Sequence, residues 1–279
     1  MHGMTRRLAA VAVGFALAAP ALAQAPGLGA SVELVDPHVF RVCAAPHNLP
    51  FSDSGQEGFE NRLAALLAGK LGEPVSYTYH PQVIGFVRNT LAALRCDVVM
   101  GVAVGDSVMQ TTNPYYRTTY ALVYRAGNGL DGIDTLADVR LRDKHIGVVA
   151  GTPPATLMVR NGLMGLARSY PLTVDTRVEA PARTMVEDIA AGRIDAGVLW
   201  GPMAGYYARH VTPSLVVVPL LKEQGAQMTF RIGMGVRHTD QTWKRTLNRL
   251  IAENQPEINR ILAEYGVPLL DDANRPLPP

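Results

Sequence analysis

The 279-residue chain has almost no excess charge: 26 Lys and Arg stand against 24 Asp and Glu. No basic stripe with interleaved aromatics runs along it, so nucleic acid is not an expected partner. Cysteine is scarce, with only Cys43 and Cys96, and there is no Cys-x-x-Cys. The seven histidines are scattered, none at i, i+4 or His-x-His spacing, which argues against a zinc or haem site. Catalytic signatures are missing too: no G-x-S-x-G elbow, no Walker loop and no dinucleotide fingerprint. A protein that is not an enzyme is therefore expected. What is there is a globular composition, 48% apolar and 18% charged, which excludes a disordered or fibrous chain. The length suits one large domain or two of modest size.

The first segment reads as an address. Arg6 and Arg7 precede an apolar run, Leu8 to Ala19, and Ala21-Leu22-Ala23 supplies the small residues of a cleavage site. These are the parts of a secretory signal peptide, residues 1–23, while the run is short for a permanent membrane anchor. No Cys follows the cut, so a lipoprotein is not expected. Cleavage removes two Arg and no acid, leaving 24 basic against 24 acidic residues. No later run is long and apolar enough to span a membrane, so the mature form is expected to be soluble and exported. Export favours a disulfide between Cys43 and Cys96, both beside expected strands. Two separate buried thiols remain the alternative, because sequence does not give their Cα separation.

Downstream, strands and helices alternate. Phe40 to Ala44 reads as a strand, followed by a loop of turn formers, Pro46 to Glu57. Phe59, Leu63, Leu66, Leu67 and Leu71 recur at helical spacing, and Gly72 ends that helix. Pro74 to Tyr79 reads as a strand, Gly85 to Arg95 as a helix and Asp97 to Val102 as a buried strand. The pattern repeats with a strand His145 to Val149, a helix opened by Pro153-Pro154, and a mixed segment, Leu172 to Val178, that could be a strand. A helix Pro181 to Gly192, a strand Asp195 to Trp200, a helix Pro202 to Arg209 and a strand Leu215 to Leu220 complete it. Two helices, 240–253 and 255–265, close the chain, and the tail from Asp271 is expected to be mobile.

This is the α/β class: two parallel-sheet lobes with covering helices. The extended segments Thr118 to Arg125 and Met228 to Val236 read as a two-stranded hinge. Lobe 1 is expected over residues 30–121 plus 230–270, lobe 2 over 122–229, and the tail over 271–279. Ligands bind between domains and at the carboxyl ends of parallel strands.

The order of landmarks resembles the periplasmic solute-binding proteins of the amino-acid importer type. The matching stretches are FRVCAAPHNLPFS (40–52), GFENRLAALLAGKLG (58–72), RCDVVMGVAV (95–104), NPYYRTT (113–119), IGVVAGT (146–152) and IDAGVLWGPMAGY (194–206). The resemblance implies a bilobed, hinge-bending binder. It also implies a Thr-x-x-Arg that clamps a ligand carboxylate and an Asp that holds its ammonium. Here the first stretch is Gly105 to Gln110, without Arg, and the second position is Trp200. An ordinary α-amino acid would leave both charges poorly paired, at a cost of roughly several kcal/mol.

The chain is more closely similar to the J-type accessory proteins of bacterial methanol oxidation (the MxaJ/XoxJ type). That match runs through CAAPHNLPFSDSGQEGFEN, GFVRNTLAALRCDVVMGV, VVAGTPPATLMVRNGLMG, the stretch SYPLTVDTRVEAPARTMVEDIAAGRIDAGVLWGP and AEYGVPLLD. It implies a periplasmic helper of a quinoprotein methanol dehydrogenase. The partner would carry pyrroloquinoline quinone (PQQ) and calcium or a lanthanide, while this chain would hold no cofactor itself. A small-molecule receptor for an importer is the alternative.

The candidate residues each have a plainer reading. His47, Asn48 and Phe51 belong to the loop that lines the cleft in the wider fold; a solvated, Pro-stiffened loop is the alternative. Tyr115, Tyr116 and Arg117 could grip an apolar or extended partner, or simply pack the hinge. Gly151 and Thr152 open a helix, where free N–H groups favour anions, but Pro153 and Pro154 remove two donors. Trp200 suggests an apolar pocket or a partner's anchor rather than core packing. Of Tyr206 and Tyr207, one should face inward, and Tyr206 is taken as the cleft residue. Asp271 and Asp272 offer too few oxygens for a metal, so no metal site is expected.

Overall fold

The structure, a computed structural model, describes residues 32–278. The expected signal peptide therefore lies outside the described residues. In chain order the strands are β1 (Phe40–Ala44), β2 (His47–Asn48), β3 (Ser52–Asp53), β4 (Val75–Tyr79), β5 (Val98–Ala103) and β6 (Gln110–Thr111). They continue as β7 (Tyr116–Tyr124), β8 (Ile146–Val149), β9 (Arg168–Tyr170), β10 (Ala196–Trp200), β11 (Val216–Pro219) and β12 (Thr229–Val236). The helices are α1 (Phe59–Leu71), α2 (Phe86–Asn89), α3 (Pro153–Arg160), α4 (Pro181–Ala190), α5 (Gly201–Arg209), α6 (Gln241–Glu253) and α7 (Gln255–Glu264). Local chemistry sets many of their ends. Gly72 takes the left-handed conformation that closes α1, and α3, α4, α5 and α7 each carry proline in the first turn, where its missing N–H costs nothing.

Ten strands form one sheet, in the order β4-β1-β5-β12-β7-β10-β8-β9, with β11 and β6 pairing off that path. Its two ends are parallel, β4-β1-β5 and β10-β8-β9. The middle is antiparallel, where β7 leaves the first half and β12 returns to it. Tyr116 to Thr119 of β7 pair with β12, whereas Tyr120 to Tyr124 pair with β10. The two expected hinge strands are thus the seam of a continuous sheet. At that seam Thr119 Oγ1 donates to the carbonyls of Leu220 and Met228, 3.2 and 3.1 Å away.

The core follows the same division. Phe40, Phe59 and Leu63 pack with Met234, Trp243 and Leu262, so the start and the end of the chain build the first half together. In the second half, β7 sends Leu122 and Tyr124 to one side and Ala121 and Val123 to the other. That two-residue alternation feeds a separate cluster on each face of the sheet. Cys43 and Cys96 are bridged, at a Cα separation of 5.4 Å, which ties β1 to the start of β5.

Three expectations are corrected. The helix expected over Gly85 to Arg95 is a single turn, because the Thr90 hydroxyl bonds back to the Phe86 carbonyl at 2.7 Å and Leu94 turns left-handed. The strand expected near Leu172 lies earlier, at Arg168–Tyr170, and residues 172–178 form a loop. There the Asp175 carboxylate accepts from the Arg177 backbone N–H, an Asx turn that competes with extended structure. The tail from Asp271 is not loose. Arg275 and the Ala273 N–H bind the Asp271 carboxylate, Leu277 N–H donates to the Leu269 carbonyl, and Arg117 donates to Asn274 at 2.8 Å.

Candidate functional site

A cleft of about 270 Å³ opens between the two halves beside the seam. Trp200, at the end of β10, forms its aromatic floor with Tyr120, its register partner on β7, 5.1 Å away. Phe230 of β12 supports the Trp200 ring edge-on at 5.5 Å. The first-half wall is Ala45, His47, Asn48, Leu49 and Gln82. The facing wall includes Val149, Thr152, Leu172, Met203 and Tyr207.

Several polar groups of these walls are already paired with protein. Asn48 donates to Gln82 at 2.9 Å, and Thr152 Oγ1 donates to the Val149 carbonyl at 2.6 Å. Tyr207 donates across the cleft to the Leu49 carbonyl at 2.8 Å. Burial, reinforced by Tyr206, pushes the Tyr207 hydroxyl up to about 12, so it keeps its proton and remains a donor at neutral pH. Among the lining residues there is no Arg or Lys, and Glu179 is the lone carboxylate. The cleft can therefore enclose an apolar, uncharged group, and it lacks the charges that hold a zwitterion.

The structure sorts the sequence candidates. His47, Asn48, Thr152 and Trp200 line the cleft. Phe51 does not; it turns inward against Phe59, with ring centroids 5.2 Å apart. Tyr115 and Tyr116 are buried in the first half, and Tyr116 meets Phe59 edge-on. With Arg117 they border a different groove, under the tail. Tyr115 and Tyr116 thus pack in the first half, away from the cleft. Gly151 stands beside the cleft with φ +75°, outside its lining. Tyr206 also lies outside, stacked on Tyr265 and bordering a side pocket of about 380 Å³ with Asp53, Arg183 and His210.

Tyr207 is the inward tyrosine of the pair. Helical spacing carried that signal, since Met203 and Tyr207 follow Trp200 at i+3 and i+7, a register that leaves Tyr206 aside. Nothing in the sequence marks Leu172 or Gln82, which arrive on loops. Among the described residues no group of three or more His, Cys, Asp or Glu could hold a metal ion. No helix among them is long and apolar enough to cross a membrane.

Away from the cleft, Glu60 is a half-buried acid in the first turn of α1. Its carboxylate lies over Gly101, where an added Cβ would stand 2.1 Å from Oε1. Burial pushes its pKa from the ordinary 4.5 up to about 8. The folded state thus holds a proton that the unfolded chain releases, so stability falls as pH rises from about 4.5 to about 8. Urea titrations at both ends of that window should show a smaller loss for Glu60→Gln than for the parent. Equal losses would remove Glu60 as the cause.

No protein-family model matches the chain. MoxJ of Methylorubrum extorquens is 32% identical over 291 aligned residues, covering 97% of this chain and 95% of that protein. The crystal structure of periplasmic binding protein XoxJ from Methylobacterium extorquens superposes with a TM-score of 0.73 at 39% identity, covering 84% of this chain and 100% of that one. An ancestral cationic amino-acid solute-binding protein shares the fold, with a TM-score of 0.65 at 20% identity over 82% of this chain and 95% of that one. The chain belongs to the family of MoxJ and XoxJ, on the periplasmic-binding-protein fold of the amino-acid binders.

Proposed function

We propose that this protein is a periplasmic, methanol-oxidation-associated binding protein that engages a quinoprotein methanol dehydrogenase and assists its maturation or activation. The PQQ and the calcium or lanthanide ion belong, in this reading, to the dehydrogenase. The protein acts as a monomer that binds and does not catalyse, with lobes at residues 30–121 plus 230–270 and 122–229. The observation that carries the reading is the cleft itself. It opens between the two halves at the end of β10 and presents Trp200, Leu172 and Met203 with no Arg or Lys. Such a lining suits an apolar segment of a partner better than a charged metabolite.

Calorimetry with purified dehydrogenase, in apo and holo forms, tests it. Saturable binding is expected, strongest to the apo form. Leu172 is 61% exposed, so Leu172→Asp should fold normally. The new charge in the apolar lining should weaken binding by about tenfold or more, about 1.4 kcal/mol. If neither form binds and a small molecule accompanies the protein through purification, the protein is a solute receptor instead.

A further inference from the structure

Helix α5 touches both halves of the molecule. Ala204 and Ala208 are buried in the second-half core. On the adjoining stripe, Gly201 and Gly205 rest on the chain that leaves α7. A Cβ at Gly205 would stand 1.8 Å from the Gly266 carbonyl oxygen. One at Gly201 would stand 2.3 Å from the Thr119 carbonyl oxygen and 2.7 Å from the Pro268 ring. Gly266 itself has φ +75°, and its own Cβ would meet the Gly205 carbonyl at 2.8 Å. The two segments are therefore in backbone contact, at a spacing that only glycine permits.

Side chains extend this contact around the helix. Tyr206 stacks on Tyr265 with ring centroids 5.9 Å apart and planes at 18°. Arg209 donates to the Ala263 carbonyl at 3.2 Å. On the cleft side Tyr207 reaches the Leu49 carbonyl. Behind it, Thr118 Oγ1 donates to the Pro268 carbonyl at 2.8 Å and anchors the segment that α5 rests on.

We propose that α5 is a fixed strut that sets the angle between the two halves, so that the cleft is a groove of constant width. A bend at the seam strands has to slide or part the α5 contact. Atoms already in backbone contact cannot be driven closer, and parting them forfeits close packing and the Tyr206, Tyr207 and Arg209 contacts together. The hinge-bending that the wider resemblance implies is thereby suppressed. The proposal does not depend on which molecule the cleft accepts.

Spin labels at Ala65→Cys on α1 and Val159→Cys on α3 report the angle. Both sites are exposed on helices, and the Cys43–Cys96 bridge leaves no free thiol to compete. Dipolar spectroscopy on the full chain should give one narrow distance distribution. Two populations, or one broad one, overturn the proposal. Gly205→Ala should shift the mean distance and lower Tm, because its methyl must push the halves apart. A folded Gly205→Ala with an unchanged distribution also overturns it. Should that variant fail to fold, Tyr206→Ala, which loosens the strut without a wedge, should broaden the distribution. An unbroadened result there counts against the strut.

Discussion

Asp97→Ala should cost about 3–5 kcal/mol of stability, the range for removing one partner of a buried charge pair. In a chain of this size that is a fall in Tm of roughly 10 °C. The Asp97 side chain is only 1% exposed. It accepts from Arg41 Nε at 2.7 Å and Nη2 at 2.8 Å, from Arg237 Nη2 at 2.6 Å, and from the Asp36 backbone N–H at 3.1 Å. Arg237 also donates to the Cys96 carbonyl at 2.7 Å and pairs with the buried Asp240. One carboxylate therefore joins β1, the start of β5, the segment before β1 and the turn into α6. Without it Arg41 loses its counter-ion and Arg237 is left with Asp240 alone, in a place water reaches poorly. Urea denaturation of parent and variant measures the cost; a difference below about 1 kcal/mol would place Asp97 among ordinary surface pairs.

Replacing both cysteines with alanine should destabilise the protein by a similar amount. The bridge closes 53 residues of chain, and the loop-entropy relation puts that at about 4 kcal/mol. The unfolded chain also becomes more expanded without the bridge, so the urea m-value should rise while the midpoint falls. Cys43 and Cys96 are 2% and 0% exposed, so reductant should act only once the fold opens. An unchanged midpoint in the double variant would mean that the bridge adds nothing the core does not already supply. The two predictions are coupled. Cys96 and Asp97 are neighbours in sequence, and each fastens β1 to the start of β5. Once one fastening is gone the other restrains less, so the combined variant should lose less than the sum of the two effects.

Much of the fold was legible because its signals are local. Phe40–Ala44, the Gly72 stop after α1 and the proline-opened helices α3, α4, α5 and α7 need only neighbours within a turn or a pleat. The missing charges at Gly105 to Gln110 and at Trp200 were visible against the solute-binding resemblance, because an absent Arg needs no coordinates. The seam was less so. Both crossing strands were visible, but their fusion into one sheet depends on Tyr120 pairing with Trp200 and Thr119 with Thr229, residues 80 and 110 positions apart.

The sequence by itself determined the fold class and the residues His47, Asn48, Thr152 and Trp200 that stand in the cleft walls. Only the tertiary structure decided that Tyr207 reaches the cleft while Tyr206 stacks on Tyr265, and that Tyr115 and Tyr116 are core. It alone showed Arg117 tied to the tail and Leu172 brought to the cleft wall. The physical reason is range. Hydrophobic periodicity and capping act over a few residues, whereas the direction a tyrosine or an arginine takes is settled by partners tens to more than a hundred residues away, whose positions no local pattern encodes.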